Sequence, residues 1–112
     1  MEGEILKGHL DMIVLAVLEA EAAHGYAVIE RIRHHSGGAF DLPEGTIYPV
    51  LHRLEGAGLL DSRWETSAAG RRRRVYALTR RGAAALVERR ALWARFAGVI
   101  GLFATKTQPC LP

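Results

Sequence analysis

The stretch EGTIYPVLHRLEGAGLL, residues 44–60, joins a helical pattern to a proline that a helix interior does not normally accept. Its apolar residues recur at three- and four-residue steps, as on one face of a helix: Ile47, Val50, Leu51, Leu54 and Ala57. Pro49 stands among them, although it lacks a backbone donor and its ring crowds the carbonyl four residues earlier. Donors in a first turn have no acceptor within the helix, so a proline there costs little. The stretch therefore predicts a helix over residues 44–58, with its regular part starting near Thr46 and Pro49 in its first turn.

Two further helices are predicted before this stretch. Residues 4–20 carry apolar side chains almost all round a helix, which indicates burial on more than one side. Residues 24–36 carry a narrower apolar stripe, and Gly37-Gly38 supplies a stop.

A hairpin and a long helix are predicted after it. Residues 60–66 and 71–78 alternate in the manner of strands on either side of a turn that contains Gly70, which is typical of a β-hairpin. Thr79 is a typical N-cap for a helix that runs from Arg80 to Ala104.

The order of three helices, a hairpin and a last helix is typical of a winged helix-turn-helix. We therefore predict a mostly α fold with a two-stranded β wing. Residues 1–79 form the winged helix-turn-helix DNA-binding domain, residues 80–104 a C-terminal dimerisation helix, and residues 105–112 a disordered tail. In such a fold the third helix enters the major groove, while the wing follows the DNA backbone or the minor groove.

The charge is distributed unevenly along the chain. Residues 1–60 hold four Lys or Arg against nine acids, whereas residues 61–112 hold eleven Lys or Arg against three acids. Such asymmetry favours a polyanionic partner for the second half, with nucleic acid ahead of a membrane surface. The apolar runs are too short to span a bilayer, and the single Cys110 cannot form a disulfide within the chain. These features predict a cytoplasmic protein that has no membrane partner.

Three segments of this sequence resemble the PadR family of bacterial transcriptional regulators. They are HGYAVIERI at residues 24–32, the opening stretch at 44–60, and GRRRRVYALTRRG at 70–82, and a strand that contains Trp64 lies between the last two and is also similar to the family. The resemblance implies a dimeric winged-helix repressor, of a kind that a small molecule often releases from DNA, and the single last helix resembles the compact branch of the family. The chain departs from the family pattern at Pro43-Glu44 and in its run of four arginines, Arg71 to Arg74.

Residues predicted to contact DNA come from the third helix and from the wing. The first group is Thr46, Tyr48, Pro49, His52 and Arg53, and the second is Gly70, Arg71, Arg72 and Arg73. Hydroxyl groups suit phosphates, and arginine suits both phosphates and guanine edges. Three alternatives stay open: Tyr48 packs in the core, Arg53 pairs with an acid, or the arginine run is only a solvated strand. Neighbouring residues on a strand point to opposite faces, so the four arginines cannot all contact one groove.

The last helix carries apolar residues at heptad spacing, which implies a partner helix: Leu86, Trp93 and Ile100 at one position, Phe96 and Phe103 at the other. Two symmetry-related indoles at a helix crossing would leave a slot for a flat aromatic ligand. We expect Leu10, Ile13, Leu92, Trp93, Phe96 and Ile100 to line it. The alternative is that Trp93 simply fills the dimer core.

Motifs for catalysis and metal binding are not found. The spacing of His9, His24, His34 and His35 fits no strong ligand pattern, and no nucleophile elbow or phosphate-binding loop is present. We predict a regulator that is not an enzyme and needs no metal or cofactor. The competing hypothesis is a winged-helix protein-interaction module without specific DNA binding.

Overall fold

The computed structural model describes residue 6 and residues 8–105. Within them the elements are α1 (Leu10–Val17), β1 (Ala23–His24), α2 (Gly25–His35), α3 (Glu44–Gly56), β2 (Leu60–Thr66), β3 (Arg72–Leu78) and α4 (Arg80–Ala104). This order confirms the predicted mostly α fold with a wing. All but the first residue of the predicted tail, 105–112, lies outside the described residues.

The predicted first helix, residues 4–20, is interrupted near its start. Residues 4, 5 and 7 lie outside the described residues, Leu6 is helical, and the chain turns at Gly8 and His9 before α1 starts at Leu10. The helix ends at Val17, so the predicted extension to residue 20 is wrong. Its apolar side chains point in several directions because α1 packs against α2, α3 and α4.

Pro49 lies in the second turn of α3, so the prediction that it occupies the first turn is wrong. The helix begins at Glu44, after an extended Pro43, and not near Thr46. The missing donor of Pro49 therefore leaves the carbonyl of Gly45 without its intrahelical partner. Gly45 and Pro49 are both exposed, and water can hydrate that carbonyl, which moderates the cost of the proline.

The end of α3 is tied to the start of α4. Gly58 has a φ of 79°, and the Leu59 amide donates to the Leu54 carbonyl at 3.0 Å, as in a Schellman motif. The Thr79 hydroxyl donates to the Gly58 carbonyl and accepts from the Gly82 amide at 3.0 Å. The predicted N-cap is thereby confirmed.

The sheet has three antiparallel strands in the order β1-β3-β2, one more than predicted. The added strand, β1, pairs Ala23 with Tyr76 and His24 with Val75. Only two residues long, β1 carries no alternating pattern that the sequence could have shown. The predicted hairpin of β2 and β3 is confirmed, and it pairs Leu60 with Leu78 and Thr66 with Arg72.

The long helix α4 packs on the rest of the chain mainly through its first half. A Cβ added to Gly82 would lie 2.0 Å from the Leu59 carbonyl oxygen, and Leu86 is 1% exposed in the core. The heptad spacing predicted that Leu86 would contact a partner helix. Leu86 instead lies in the core of its own chain. The second half of α4 leaves large apolar side chains exposed: Leu92, Trp93, Phe96, Val99, Ile100, Leu102 and Phe103. Across the part of the chain that the structure describes, none of the helices is both long and apolar enough to cross a membrane.

Candidate nucleic-acid interface

The side chains of α3 that were predicted to contact DNA lie along two grooves. Tyr48 and His52 line a cleft of about 320 Å³ between α3 and the sheet. Thr46, Pro49 and Arg53 line a groove of about 480 Å³ on the side of α3 that faces α1. The first groove, which we call the wing cleft, is the place where predicted residues of α3 and of the wing come together.

The wing cleft is positively charged. The residues that line it, none of which is acidic, are His24, Gly25, Tyr48, His52, Trp64, Arg72, Arg73, Arg74 and Tyr76. Burial lowers the pKa of the His24 imidazole, and the positive charges of Arg73 and Arg31 lower it further. A histidine in such surroundings resists protonation. The same field attracts anions.

Tyr48 is partly buried, and its ring lies against Gly25 at the start of α2. A Cβ added to Gly25 would come within 2.5 Å of the Tyr48 ring and hydroxyl. Burial raises the pKa of the Tyr48 hydroxyl, and the nearby charge of Glu44 raises it further. Tyr48 thus packs its ring against the protein while it also lines the wing cleft, so both roles considered for it from the sequence are compatible.

The wing arginines divide between the two faces of the hairpin. Trp64 pairs across the strands with Arg74, and Arg72 lies two residues further along the same face of β3. The guanidinium carbons of Arg72 and Arg74 lie 4.9 and 5.3 Å from the centroid of the Trp64 ring, which is cation–π geometry. Arg73 alternates with them along β3 and is not over the Trp64 ring, but it also lines the wing cleft, on the side of His24.

Arg74 is held within the protein. Its Nε donates to the Ser62 hydroxyl at 2.7 Å, and its NH2 group lies 3.5 Å from a Glu55 carboxylate oxygen. The Ser62 hydroxyl in turn donates to Glu55. This network joins the wing to the end of α3, and it agrees with the absence of Arg74 from the residues predicted to contact DNA.

Gly70 lies in the loop at the tip of the wing. Its φ of 83° is one that residues with a side chain rarely adopt. The loop is closed by the Ser67 amide, which donates to the Arg71 carbonyl at 2.7 Å, and by the Arg71 amide, which donates to the Ser67 hydroxyl at 3.2 Å. Arg71, Arg72 and Arg73 follow directly, and all three are exposed.

Arg53 pairs with an acid, which is the alternative that the sequence left open for it. Its guanidinium donates to both oxygens of Asp11, at 2.7 and 2.9 Å, and Arg89 of α4 donates to the same carboxylate at 3.0 Å. The Asp11 side chain is 19% exposed. Asp11 therefore links α1, α3 and α4, and the geometry favours a structural role for Arg53 over a contact with DNA.

A small apolar hollow of about 220 Å³ lies between the start of α1 and the middle of α4. It is lined by Gly8, His9, Met12, Arg89, Leu92, Trp93 and Phe96. The His9 ring meets the Trp93 indole edge to face, with centroids 4.8 Å apart. Leu92, Trp93 and Phe96 are thus brought together as predicted.

The other three residues predicted for this slot do not line it within one chain. Leu10 is buried in the core and borders the groove beside α3, while Ile13 packs against the core. Ile100 lies seven residues beyond Trp93 on α4, or ~10 Å along the helix axis. The helical spacing of α1 placed Leu10 and Ile13 on its apolar surface but could not tell which neighbour that surface meets.

Several residues of this surface were missed in the sequence. Gly25 and His24 belong to the HGYAVIERI segment, whose role in supporting Tyr48 is visible only once α2 packs on α3. Trp64 could have been singled out, because a tryptophan on the same strand face as alternate arginines is a pattern that the sequence shows. Within the described residues, no group of three or more His, Cys, Asp or Glu side chains is arranged to hold a metal ion.

Comparisons with known proteins converge on one family. The profile described as "Transcriptional regulator PadR-like family" matches residues 14–88. The transcriptional regulator Rv3488 of Mycobacterium tuberculosis is 46% identical over 70 residues, which make up 62% of this chain and 62% of that protein. A transcriptional regulator from Clostridium thermocellum has a similar structure, with a TM-score of 0.84 at 25% identity over 91% of this chain and 99% of that one. A PadR family transcriptional regulator from Eggerthella lenta gives a TM-score of 0.83 at 32% identity, over 96% and 91%.

Proposed function

Because this chain belongs to the PadR-like family of transcriptional regulators, we propose that it acts by binding double-stranded DNA as a two-fold dimer and that it represses transcription. The family consists of transcriptional regulators and not of enzymes. The observation that carries the proposal is the wing cleft, where α3 and three wing arginines form one cationic surface without an acidic lining residue.

The proposed contacts with DNA follow from this surface. Pro49, His52 and Arg53 are the exposed side chains in the middle of α3, and Arg53 is held by Asp11, while Thr46 and Tyr48 are half-buried. We assign Tyr48 to a phosphate, His52 to a base edge and Pro49 to an apolar contact, while Thr46 lies where the helix enters the groove. Gly70, Arg71, Arg72 and Arg73 of the wing contact the adjoining backbone or minor groove.

The proposed dimer uses the second half of α4. Its exposed apolar side chains run from Leu92 to Phe103. An exposed apolar patch of this extent is typical of a surface that binds another protein. A partner helix from a second copy would cover them and would place the two α3 helices about one DNA turn, roughly 34 Å, apart on a pseudo-palindromic site. Phe96→Glu combined with Ile100→Glu should give a monomer in sedimentation experiments. A dimer that persists in this variant would remove α4 from the interface.

The salt dependence of DNA binding tests the proposed function. DNA fragments that flank the coding region of the protein are titrated over a range of salt concentrations. Several phosphate contacts per dimer should give a steep loss of affinity, and Arg71→Ala with Arg73→Ala should make the slope shallower by about one for each phosphate that is no longer bound. A shallow slope and no preference for any fragment would favour the protein-interaction module instead.

The apolar hollow beside Trp93 supports a second part of the proposal, in which a planar hydrophobic molecule releases the DNA. In a dimer the two hollows would face the crossing of the α4 helices. Trp64→Phe leaves Trp93 as the sole indole, so its fluorescence reports directly on binding of planar dyes. Quenching together with weaker DNA binding is the expected result. Unchanged fluorescence with every dye tested would mean that Trp93 only fills the dimer core.

A further inference from the structure

The hairpin presents one arginine on an aromatic platform. The guanidinium carbon of Arg72 lies 4.9 Å from the centroid of the Trp64 ring, and Trp64 is 54% exposed at the border of the wing cleft. Nothing in the packing of the core requires an indole here, because more than half of the side chain is open to solvent. A large exposed tryptophan among arginines needs an explanation outside the fold.

The two arginines that contact Trp64 differ in what else they bind. Arg74 is held by Ser62 and Glu55. Arg72 has no acidic partner among the described residues, and the Trp64 ring is the one group that fixes its direction there. The stack therefore orients a guanidinium whose charge is not neutralised by the protein.

A stacked guanidinium is well prepared to bind a phosphate. Its carbon lies over the ring, while the N–H donors of arginine lie in the plane of the group and can form two parallel hydrogen bonds with a phosphate. The rotamer freedom of a long side chain, which is normally lost on binding, is already restricted by the ring. The wing cleft also contains Tyr48 and His52 of α3, so a phosphate bound by Arg72 would lie beside the helix that enters the groove.

We propose that Trp64 is a positioning residue that holds Arg72 ready to clamp a backbone phosphate of the DNA, next to the groove that α3 occupies. This inference rests on the proposed function. It assigns to Trp64 and Arg72 a shared contact that depends on the planar shape of arginine and not on its charge alone.

The sharpest test compares lysine substitutions. Arg72→Lys keeps the charge but loses the planar stack and the paired donors, so the affinity for promoter DNA should fall about two- to five-fold while the salt slope stays the same. Arg63→Lys is the matched control, because Arg63 is exposed on β2, pairs with Glu65 and contacts no aromatic ring among the described residues. Its affinity should equal that of the wild type.

Substitutions at Trp64 complete the test. Trp64→Leu should weaken DNA binding to the same extent as Arg72→Lys. Trp64→Phe, which keeps an aromatic ring, should bind DNA almost as tightly as the wild type. The salt slope should be unchanged in both Trp64 variants. In the double variant with Arg72→Ala, Trp64→Leu should cause no further loss, because the residue that it positions is absent. Thermal unfolding is followed in each variant, and the lysine substitution tests the stack even if Trp64→Leu does not fold.

The outcomes separate this inference from the proposed function. Wild-type protein that binds no promoter DNA overturns both. If the wild-type protein binds with a steep salt slope but Arg72→Lys binds equally well, only the proposed role of Trp64 and Arg72 is overturned. Additive losses from Trp64→Leu and Arg72→Ala would also overturn it, because each residue would then act by itself.

Discussion

Replacing Asp11 by asparagine should destabilise the protein by loosening three helices at once. The Asp11 carboxylate accepts two hydrogen bonds from Arg53 of α3 and one from Arg89 of α4, at 2.7 to 3.0 Å. The substitution keeps the size of the side chain but removes its charge. Both guanidinium groups then lose their only acidic partner in the described residues.

The size of the effect follows from the exposure of the partners. Hydrogen bonds to charged groups contribute about 1.5–3 kcal/mol each when they are buried. Arg53 and Arg89 are 58% and 39% exposed, so water can replace much of what they lose. We therefore expect a loss of about 1–2 kcal/mol in the free energy of unfolding, and a decrease of roughly 5–10 °C in the unfolding temperature.

A double-mutant cycle isolates the interaction. Asp11→Asn, Arg53→Ala and the double variant are compared by urea unfolding at equal protein concentration, and a coupling free energy of about 1 kcal/mol is expected. The matched control is the pair between Glu19 and Arg90, which also joins α4 to the end of α1. Both of its side chains are about half exposed, so its coupling should be smaller than about 0.5 kcal/mol.

The pH dependence of stability provides the refuting result. The hydrogen bond from Arg53 holds the pKa of the Asp11 carboxyl below its ordinary value of 3.8, against the opposing effect of partial burial, and Arg89 lowers it further. A carboxyl whose pKa is lowered on folding stabilises the protein above its unfolded-state pKa and loses that effect as the pH falls through the folded-state pKa. The difference between wild type and Asp11→Asn should thus be complete at pH 7 and shrink below about pH 4. A difference that is the same at both pH values would refute the ion-pair explanation.

Three further substitutions test other parts of the structure. Gly25→Ala should cost about 1–3 kcal/mol of stability and weaken DNA binding, because its Cβ would collide with the Tyr48 ring; thermal unfolding and DNA titration measure the two effects. Pro49→Ala should stabilise α3 by about 1 kcal/mol, since it restores a donor to the Gly45 carbonyl, and a lower unfolding temperature would contradict this placement. Glu44→Gln should raise DNA affinity about threefold by removing a negative charge where α3 enters the groove, and equal affinity would place Glu44 away from DNA.

Local signals were sufficient for the elements of the fold. The apolar period, the glycines after α2 and α3, and the N-cap Thr79 correctly predicted four helices and a hairpin, and α4 has the bounds that the sequence indicated. The break at Gly8 and His9 and the regular start of α3 at Glu44 were not predicted, because the apolar period does not show where the backbone becomes helical or leaves the helix. The position of Pro49 was predicted from the rule that a proline beyond the first turn destabilises a helix by removing a backbone hydrogen bond. Here the helix face is exposed, so water can hydrate the Gly45 carbonyl and reduce that destabilisation.

Contacts between distant residues could not be predicted in this way. Asp11 and Arg53 are 42 positions apart, and nothing in either neighbourhood distinguishes this pair from the other acids and bases of the chain. The position of Leu86 shows the same limit. Its heptad spacing from Trp93 is real, but α4 passes from the core of its own chain to an exposed surface between the two residues, and spacing alone does not record that change of surroundings.

The distribution of arginines explains why net charge was a useful but incomplete guide to the DNA-binding surface. Seven of the thirteen arginines pair with acids in the structure, namely Arg31, Arg33, Arg53, Arg63, Arg74, Arg89 and Arg90. The other six have no acidic partner among the described residues, and three of these, Arg71 to Arg73, are consecutive in the wing. The excess positive charge of the second half is therefore concentrated beside α3, where a phosphate backbone would neutralise it. The net charge of the sequence indicates that the partner is negatively charged, whereas the ion pairs in the structure show which arginines remain available to bind it.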